Sequence, residues 1–518
     1  MNCDVFWNVG FRFFEDLSGL RRLCFFTVAL LTSCLGCPSV SYTQEVETVR
    51  AVLNRAVDFF RLEVSVNGGY VYQYSADLSK REGEGAVGPH TSWVQPPGTP
   101  YVGQAYLQAY QYCNEPQLLS AAREVAEALM LGQLESGGWD NRIEFSPEKR
   151  SGYRYRRGDR IDGKFGAISG SGRRNTTTLD DNKSQSACRF LILMDQALNF
   201  SDQKIHESAL YALDAFIGAQ YPNGAWPQRY ERPMSLDSKT VKAGSTKLKA
   251  SLPPKWLRKY PAKKYGSYYT LNDNTICDMI RLMLDAWVVY KNPKYLQSAK
   301  RGGEFLILAQ LPEPQPGWAQ QYDQDMQPAW ARKFEPPAIT GGESQAVMKT
   351  LMTLYQRLAG KEPDAAKYLR PIPRALDYYQ RSLLPNGKLA RFYELNSNRP
   401  LYFNRRYELT YDDDDCPTHY AFVVSSKLDQ LRSEYLEIQN KPSGSTLEEI
   451  SIKTPKRTSE LNERVNRVLA NISDSGAWIE SGRLKYHGED DNTERVIKSK
   501  TFCDNLLILA SWLGDGSS

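Results

Sequence analysis

Carboxylates and amides collect just where two apolar-periodic stretches begin. Thr178-Leu179-Asp180-Asp181-Asn182 leads into Ser186, Ala187 and Phe190, and Thr270-Leu271-Asn272-Asp273-Asn274 leads into Ile276, Met279 and Ile280. Asp or Asn before a helix is first of all an N-cap, whose side-chain oxygen accepts a bond from an otherwise orphaned backbone N–H. Capping accounts for one side chain in each motif and leaves its polar neighbours over. Two carboxylates delivered to one place from successive helix starts could bind a hard cation such as Ca²⁺ through oxygen. The same pair, Asp180 and Asp273, could equally be the acid and base of an inverting glycosidase. A third group, Gln327-Pro328-Ala329-Trp330-Ala331-Arg332-Lys333-Phe334-Glu335-Pro336-Pro337, sets Arg332 in a proline-flanked loop, suited to work on an anion. Gly341-Gly342-Glu343-Ser344 then opens another helix.

The elements that must position these groups are repeated helix pairs. A Gly-aromatic theme recurs at Gly68-Gly69-Tyr70, Gly137-Gly138-Trp139, Gly224-Ala225-Trp226, Gly317-Trp318, Gly387 with Phe392, and Gly476-Ala477-Trp478. From Gly69 the glycines Gly138, Gly224, Gly317, Gly387 and Gly476 are spaced by 69, 86, 93, 70 and 89 residues, each room for about two helices and their loops. Helical periodicity is read at 44–62, 102–113, 117–134, 182–198, 202–220, 274–290, 294–311, 343–359, 363–383, 418–436, 458–470 and 501–513. Convincing strands are few and short. Helix hairpins repeated around a ring make a mostly α protein, an α/α toroid whose helix ends and turns line one mouth. The expected organisation is one toroid domain over residues 44–518. An open α-solenoid is the competing architecture, but solenoid repeats are usually shorter and more even.

Composition agrees with a folded enzyme-sized chain: 518 residues, 41% apolar and 24% charged, which excludes a disordered, collagen-like or polytopic membrane protein. The formal charge of +5 does not demand a nucleic-acid partner, but the charge is unevenly placed. Residues 232–266 hold ten basic and one acidic residue, and 149–174 hold nine basic and two acidic, both just ahead of the carboxylate motifs. Such stretches would gather a polyanion at the mouth, or stand as solvated loops. No nucleic-acid fold signature accompanies them. Asp412-Asp413-Asp414-Asp415 lacks the glycine and distal glutamate of an EF-hand and reads as a solvated turn. Only four histidines occur, so a multi-histidine metal site has few candidates. The aromatic content suits sugar stacking and a Trp-rich core alike.

At the N-terminus, Leu23–Leu31 is an apolar run of nine residues behind Arg21 and Arg22, too short to span a bilayer but suited to a signal-peptide core. Leu31-Thr32-Ser33-Cys34 resembles a bacterial lipobox. Residues 1–33 are therefore expected to be a leader, and the protein to be exported: periplasmic, secreted or lipid-anchored, with no other membrane contact. The nine cysteines are scattered, and Cys113, Cys188, Cys277 and Cys503 fall in apolar helical patterns as small buried hydrophobes.

Taken together with Tyr221-Pro222-Asn223-Gly224-Ala225-Trp226-Pro227-Gln228 and Phe392-Tyr393-Glu394-Leu395-Asn396-Ser397-Asn398-Arg399-Pro400, the motifs resemble, in order, the pectic acid lyases of polysaccharide lyase family 10 over about residues 170–425. The resemblance implies cleavage of polygalacturonate by Ca²⁺-assisted β-elimination. By motif it makes Asp180 and Asp273 calcium-associated aspartates, Asp180 also catalytic, and Arg332 the group that takes the C5 proton. It makes Arg399 and Arg405 holders of substrate carboxylates, and it sets Asn182, Asn272 and Trp226 with the substrate-binding residues. Ca²⁺ is the implied cofactor, an acidic polysaccharide the partner, and a monomer the expected assembly. A base with an ordinary pKa above about 12 implies an alkaline pH optimum. Two other readings stand beside this one: a toroidal glycoside hydrolase using Asp180 and Asp273, and a non-catalytic polyuronate-binding surface protein.

Overall fold

The four Gly-aromatic turns that carry tryptophan each close a helix end in the same way. A computed structural model describes residues 38–157, 172–232, 248–440 and 455–514; the leader 1–33 and parts of both basic stretches, 158–171 and 233–247, lie outside the described residues. The indole N–H of Trp226 donates to the carbonyl of Phe216 at 2.8 Å. Trp139 does the same to Leu129 (2.8 Å), Trp318 to Leu306 (2.8 Å) and Trp478 to Val468 (3.0 Å). The last carbonyls of a helix lack partners within it, and here one is satisfied by a ring that is itself withdrawn from water. Trp139, Trp226 and Trp318 are fully buried.

Glycine is required before the ring for two reasons. Gly137 (φ 106°), Gly224 (φ 95°) and Gly476 (φ 95°) are left-handed, a region glycine enters without steric cost. A Cβ on Gly224 would also collide with the backbone carbonyl of Arg301, and one on Gly476 with that of Arg55. A glutamine completes the joint: Gln220 Nε2 donates to Gly224 O (2.9 Å) and to Ser298 O (3.0 Å). Gln133 links Gly137 O and Ser208 O, and Gln310 links Pro316 O and Pro371 O, in the same manner.

The helices are α1 (Pro38–Phe59), α2 (Thr99–Cys113), α3 (Pro116–Gly132), the single turn α4 (Pro147–Arg150), α5 (Lys183–Ala197), α6 (Gln203–Gly218) and α7 (Thr275–Tyr290). They continue with α8 (Pro293–Leu308), α9 (Glu343–Leu358), α10 (Ile372–Arg381), α11 (Leu428–Asn440), α12 (Ser459–Ala470) and α13 (Ser499–Gly514). Helices α13, α2, α5, α7, α9 and α11 pack in that order as an inner layer; α3, α6, α8 and α12 lie against them from outside, and α1 packs on α13 and α3. This is an α/α toroid. The inner helices α5 and α7 are buried around most of their circumference, as helices enclosed by neighbours must be. The two ends of the chain meet: α13 packs on α2, and Gln73–Ser75 pairs antiparallel with Arg495–Lys498.

Two-residue ladders stitch the mouth. Thr177–Thr178 pairs with Arg229–Tyr230, Tyr269–Thr270 with Gln321–Tyr322, and Ile339–Thr340 with Phe392–Tyr393. Each joins the entry of an inner helix to the segment following the next turn, so the residues just before α5, α7 and α9 face a common rim. Two expected helices differ. The stretch 363–383 is helical as α10 only from Ile372, with a separate short turn at Ala365–Tyr368, because Pro371 and Pro373 lack an N–H and restrain the residues before them. The stretch 418–436 begins instead with a strand, Val423–Val424, paired with Leu389–Ala390, and becomes helical at Leu428; an apolar run of aromatic and β-branched residues reads as either state. Cys188, Cys277 and Cys503 are buried free thiols, as expected, while Cys113 is half-buried. Among the described residues no helix is long and apolar enough to cross a membrane.

Replacing Gly224 by Ala should lower the melting temperature more than the same change at Gly172, which shares a positive φ (102°) but faces open space. Trp226→Ala should cost roughly 3–5 kcal/mol in denaturant unfolding.

Candidate active site

The two acidic motifs adopt one conformation, and it is not that of a cap. Asp181 (φ 50°) and Asn182 (φ 57°) are both left-handed, as are Asp273 (φ 48°) and Asn274 (φ 62°). Neither Asn182 nor Asn274 makes a side-chain cap bond to its helix, so the N-capping reading is replaced by a strained double turn. Successive left-handed non-glycine residues cost of order 1–3 kcal/mol each and persist where the surroundings enforce them. Asp and Asn bear this best, since their short polar side chains tolerate the region, which accounts for the residue types in both motifs.

Superposing the turns by sequence places Asp181 with Asp273, and Asp180 with Asn272. The expected pair Asp180 and Asp273 thus becomes a group of three: carboxylate oxygens of Asp180, Asp181 and Asp273 lie within 4.8 Å of one another. Asp181 also meets Lys183 Nζ at 2.8 Å, and Asp180 lies 3.7 Å from Arg229. Asn272 Nδ2 donates to Asp273 Oδ2 at 2.5 Å and to Asp180 Oδ1 at 3.5 Å, leaving its own Oδ1 buried without a partner. Burial, together with the charges of Asp181, Asp180 and Glu343, holds the Asp273 carboxyl well above the usual carboxylate range, with Arg332 pulling the other way. Three converging acidic side chains with an orphaned amide oxygen beside them are a fitting donor set for a hard divalent cation. The second acidic group, Asp412, Asp413 and Asp414, is wholly exposed, as a solvated turn should be.

Arg332 faces this cluster from its proline-flanked loop. Its backbone N–H and its Nη2 both donate to Glu335, at 3.0 and 2.5 Å, while its Nε is buried without a partner. Tyr420 Oη donates to the same carboxylate at 3.2 Å, and the guanidinium sits over the rings of Phe334 and Tyr420, 5.0 and 5.5 Å from their centroids. Burial disfavours the charge on Arg332, but the Glu335 hydrogen bond and charge outweigh it, so its pKa is raised above the ordinary arginine value. Arg391 pairs with Glu343 at 3.3 Å and lies 4.8 Å from the Tyr420 ring centroid. Tyr265 faces the same space: burial and the Glu335 charge raise its pKa, and Arg332 and Arg229 oppose the rise.

Asp181, Glu335, Glu343, Arg391 and Tyr420 were not singled out from the sequence. Asp181 and Glu335 stand inside motifs that were, and the likeness of the two acidic motifs, aligned without gaps, would have found Asp181. Arg391 and Tyr420 carry no such signal, because a ladder brings them in from elsewhere in the chain. Arg399 and Arg405 are exposed on the rim: the Arg399 guanidinium lies 3.3 Å from the Tyr411 ring centroid, and Arg405 pairs with Asp415 at 3.2 Å. Trp226 is a correction. It has no exposed surface and its N–H is taken by Phe216, so it holds the turn and offers no face to a sugar.

Residues 161–362 match the family model of the pectic acid lyases. The carboxylate cluster and Arg332 both fall inside the matched segment. Among solved structures, the chain is similar to a family 10 polysaccharide lyase from Cellvibrio cellulosa, at 17% identity over 65% of this chain and 95% of that one, TM-score 0.43. A mutant of that enzyme in complex with trigalacturonic acid matches at 17% identity over 65% and 97%, TM-score 0.41. A cellobiose 2-epimerase from Spirochaeta thermophila matches at 13% identity over 70% and 76%, TM-score 0.39. No curated protein matches the chain.

A ligand that binds only the folded state raises its stability, and relief of like charge stabilises a carboxylate cluster that has no cation. Millimolar CaCl₂ should therefore raise the melting temperature of the wild type. Asp181→Asn and Asp273→Asn should each melt higher than wild type in chelator and lose most of the calcium-dependent gain; an undiminished gain in both would exclude this cluster as the cation site.

Proposed function

We propose that the protein is a pectate lyase that cleaves α-1,4-linked polygalacturonate by Ca²⁺-assisted β-elimination, releasing unsaturated oligogalacturonates. The observation that carries this reading is the half-exposed guanidinium of Arg332 opposite three converging carboxylates, within the segment that matches the pectic acid lyase model. Asp180, Asp181 and Asp273 would hold Ca²⁺, which supplies withdrawal of negative charge from the uronate carboxylate as the C5 proton leaves. Arg332 takes that proton in its neutral form, and departure of the 4-linked oxygen leaves the C4–C5 double bond. Glu335 accepts one bond from the Arg332 backbone N–H and one from its guanidinium, which fixes the side chain but stabilises its charged form, so the neutral base is scarce until the pH is high. Asn272, Asn182 and the rim residues Arg399 and Arg405 would orient the chain of uronates. A hydrolase built on Asp180 and Asp273 fits less well, because those aspartates crowd together with a third, whereas inverting hydrolases keep their carboxylates about 6.5–9.5 Å apart. On the same reading the protein is exported behind residues 1–33 and works as a monomer on acidic pectin.

Incubation with polygalacturonate at alkaline pH should generate an ultraviolet-absorbing unsaturated product, abolished by chelator and by Arg332→Ala. New reducing ends without that absorbance would instead identify a hydrolase. Glu335→Gln removes the carboxylate that raises the Arg332 pKa, so the alkaline limb of the rate profile should move to lower pH; an unmoved limb would mean that another group titrates.

A further inference from the structure

Residues 248–266 form an irregular strap laid across the loop that carries Arg332. It has no helix or strand of its own, yet it is pinned along its length. Ala250 N–H donates to Leu308 O at 2.7 Å and Ser251 N–H to Met326 O at 3.1 Å. In the middle, Trp256 Nε1 donates to Pro337 O at 2.7 Å, and Trp330 Nε1, from the Arg332 loop, donates to Leu257 O at 2.7 Å. At the far end the Arg229 N–H donates to Gly266 O at 3.1 Å, and the Arg229 side chain reaches Asp180. The strap therefore starts beside the core, crosses over Trp330 and ends at the carboxylate cluster.

Every charged side chain it carries is cationic, set among exposed apolar residues such as Leu257. Lys255, Lys259, Lys263 and Lys264 are exposed, and none forms an ion pair among the described residues; Lys263 only opposes, through its charge, the rise that burial gives the Asp323 carboxyl. Between them Tyr260 presents a partly exposed ring held edge-on to Trp330, with centroids 5.7 Å apart. Arg258 is exposed too but already paired, 3.3 Å from Glu394. Held lysines flanking an open aromatic ring, continuous with a site that takes an anionic sugar, match a polymer that repeats a carboxylate and a flat sugar face at every unit.

We infer that the strap is an added binding surface for the uronate chain beyond the bond that is cleaved, with Lys255, Lys259, Lys263 and Lys264 taking successive carboxylates and Tyr260 taking a ring face. It makes the enzyme prefer long, demethylated chains over short oligomers. This rests on the polygalacturonate reading of the site, and the two are separable by experiment. The Lys255→Ala/Lys259→Ala/Lys263→Ala/Lys264→Ala variant should raise KM for polygalacturonate about tenfold, as the sum of four modest exposed charge contacts, with kcat retained. KM for a galacturonate trimer should change far less, and the matching Lys→Arg variant should restore the polymer KM. Equilibrium binding of uncleaved polygalacturonate in chelator should weaken in parallel and lose its salt dependence. An unchanged polymer KM and binding, or an equal loss on trimer and polymer, would overturn the inference while leaving the lyase reading intact. Salt-sensitive, lysine-dependent binding by a wild type that yields no unsaturated product would sustain the strap and sink the lyase. Tighter wild-type binding to anionic vesicles or to duplex DNA than to polygalacturonate would assign the surface to another partner and overturn it as well.

Discussion

The bond from a buried indole N–H to a helix-end carbonyl is what the ring is built on. It recurs at Trp139, Trp226, Trp318 and Trp478. Each ring fills the space where an outer helix stops, satisfies a carbonyl that would otherwise be orphaned in an apolar setting, and turns the chain back toward the mouth. The ladder that follows can then form only in one register, since Thr178, Thr270 and Thr340 each donate to the carbonyl of the preceding tryptophan. Chemistry begins two residues or so beyond that bond. The positions of Asp181 and Asp273 are thus set by burial of a ring that itself never meets the substrate.

The site depends on charges left partly unbalanced. Asp273 carries a raised pKa because burial and two neighbouring aspartates oppose its ionisation. Glu335 raises the pKa of Arg332, and Glu343 that of Arg391, against the burial that disfavours their charge, and both guanidinium groups contact the Tyr420 ring. An acid that resists ionisation, facing arginines that resist neutralisation, is stable only while the surrounding fold forbids them to relax. The double left-handed turns at Asp181-Asn182 and Asp273-Asn274 are part of that constraint. Strain and like charge at one place are common where binding, rather than folding, supplies the compensation.

Much of this was legible in the residues. The turns announced themselves through glycine, aromatic and spacing, and ten of the twelve expected helices stand within a few residues of their sequence positions. Arg332 and the two acidic motifs stood out by residue type and spacing, and their roles came from the family resemblance. What escaped was set by tertiary pairing. Whether Asp180 or Asp181 pairs with Asp273 depends on two dihedral angles, and no composition reveals that. Trp226 looked like a sugar platform because exposed and buried tryptophans are identical in sequence; only the helix end it covers decides. Arg391 and Tyr420 reach the site across ladders, from segments whose local pattern says nothing of it. The misread helix at 418–436 was the same failure, since its first part is a strand held by Leu389–Ala390.

The contact of Gly224 with the backbone of Arg301, and of Gly476 with that of Arg55, sets how closely one hairpin sits upon the next. Because the abutting surface is main chain, the pitch between neighbours is indifferent to whichever side chains clothe the outside of the torus. Substitution can therefore rewrite the periphery freely, and length can change in the connections at the rim, where the strap lies, while the curvature of the ring and the bore of its mouth stay as they are. The architecture separates what must be constant from what can be varied, with a hydrogen atom at a few α-carbons as the dividing line.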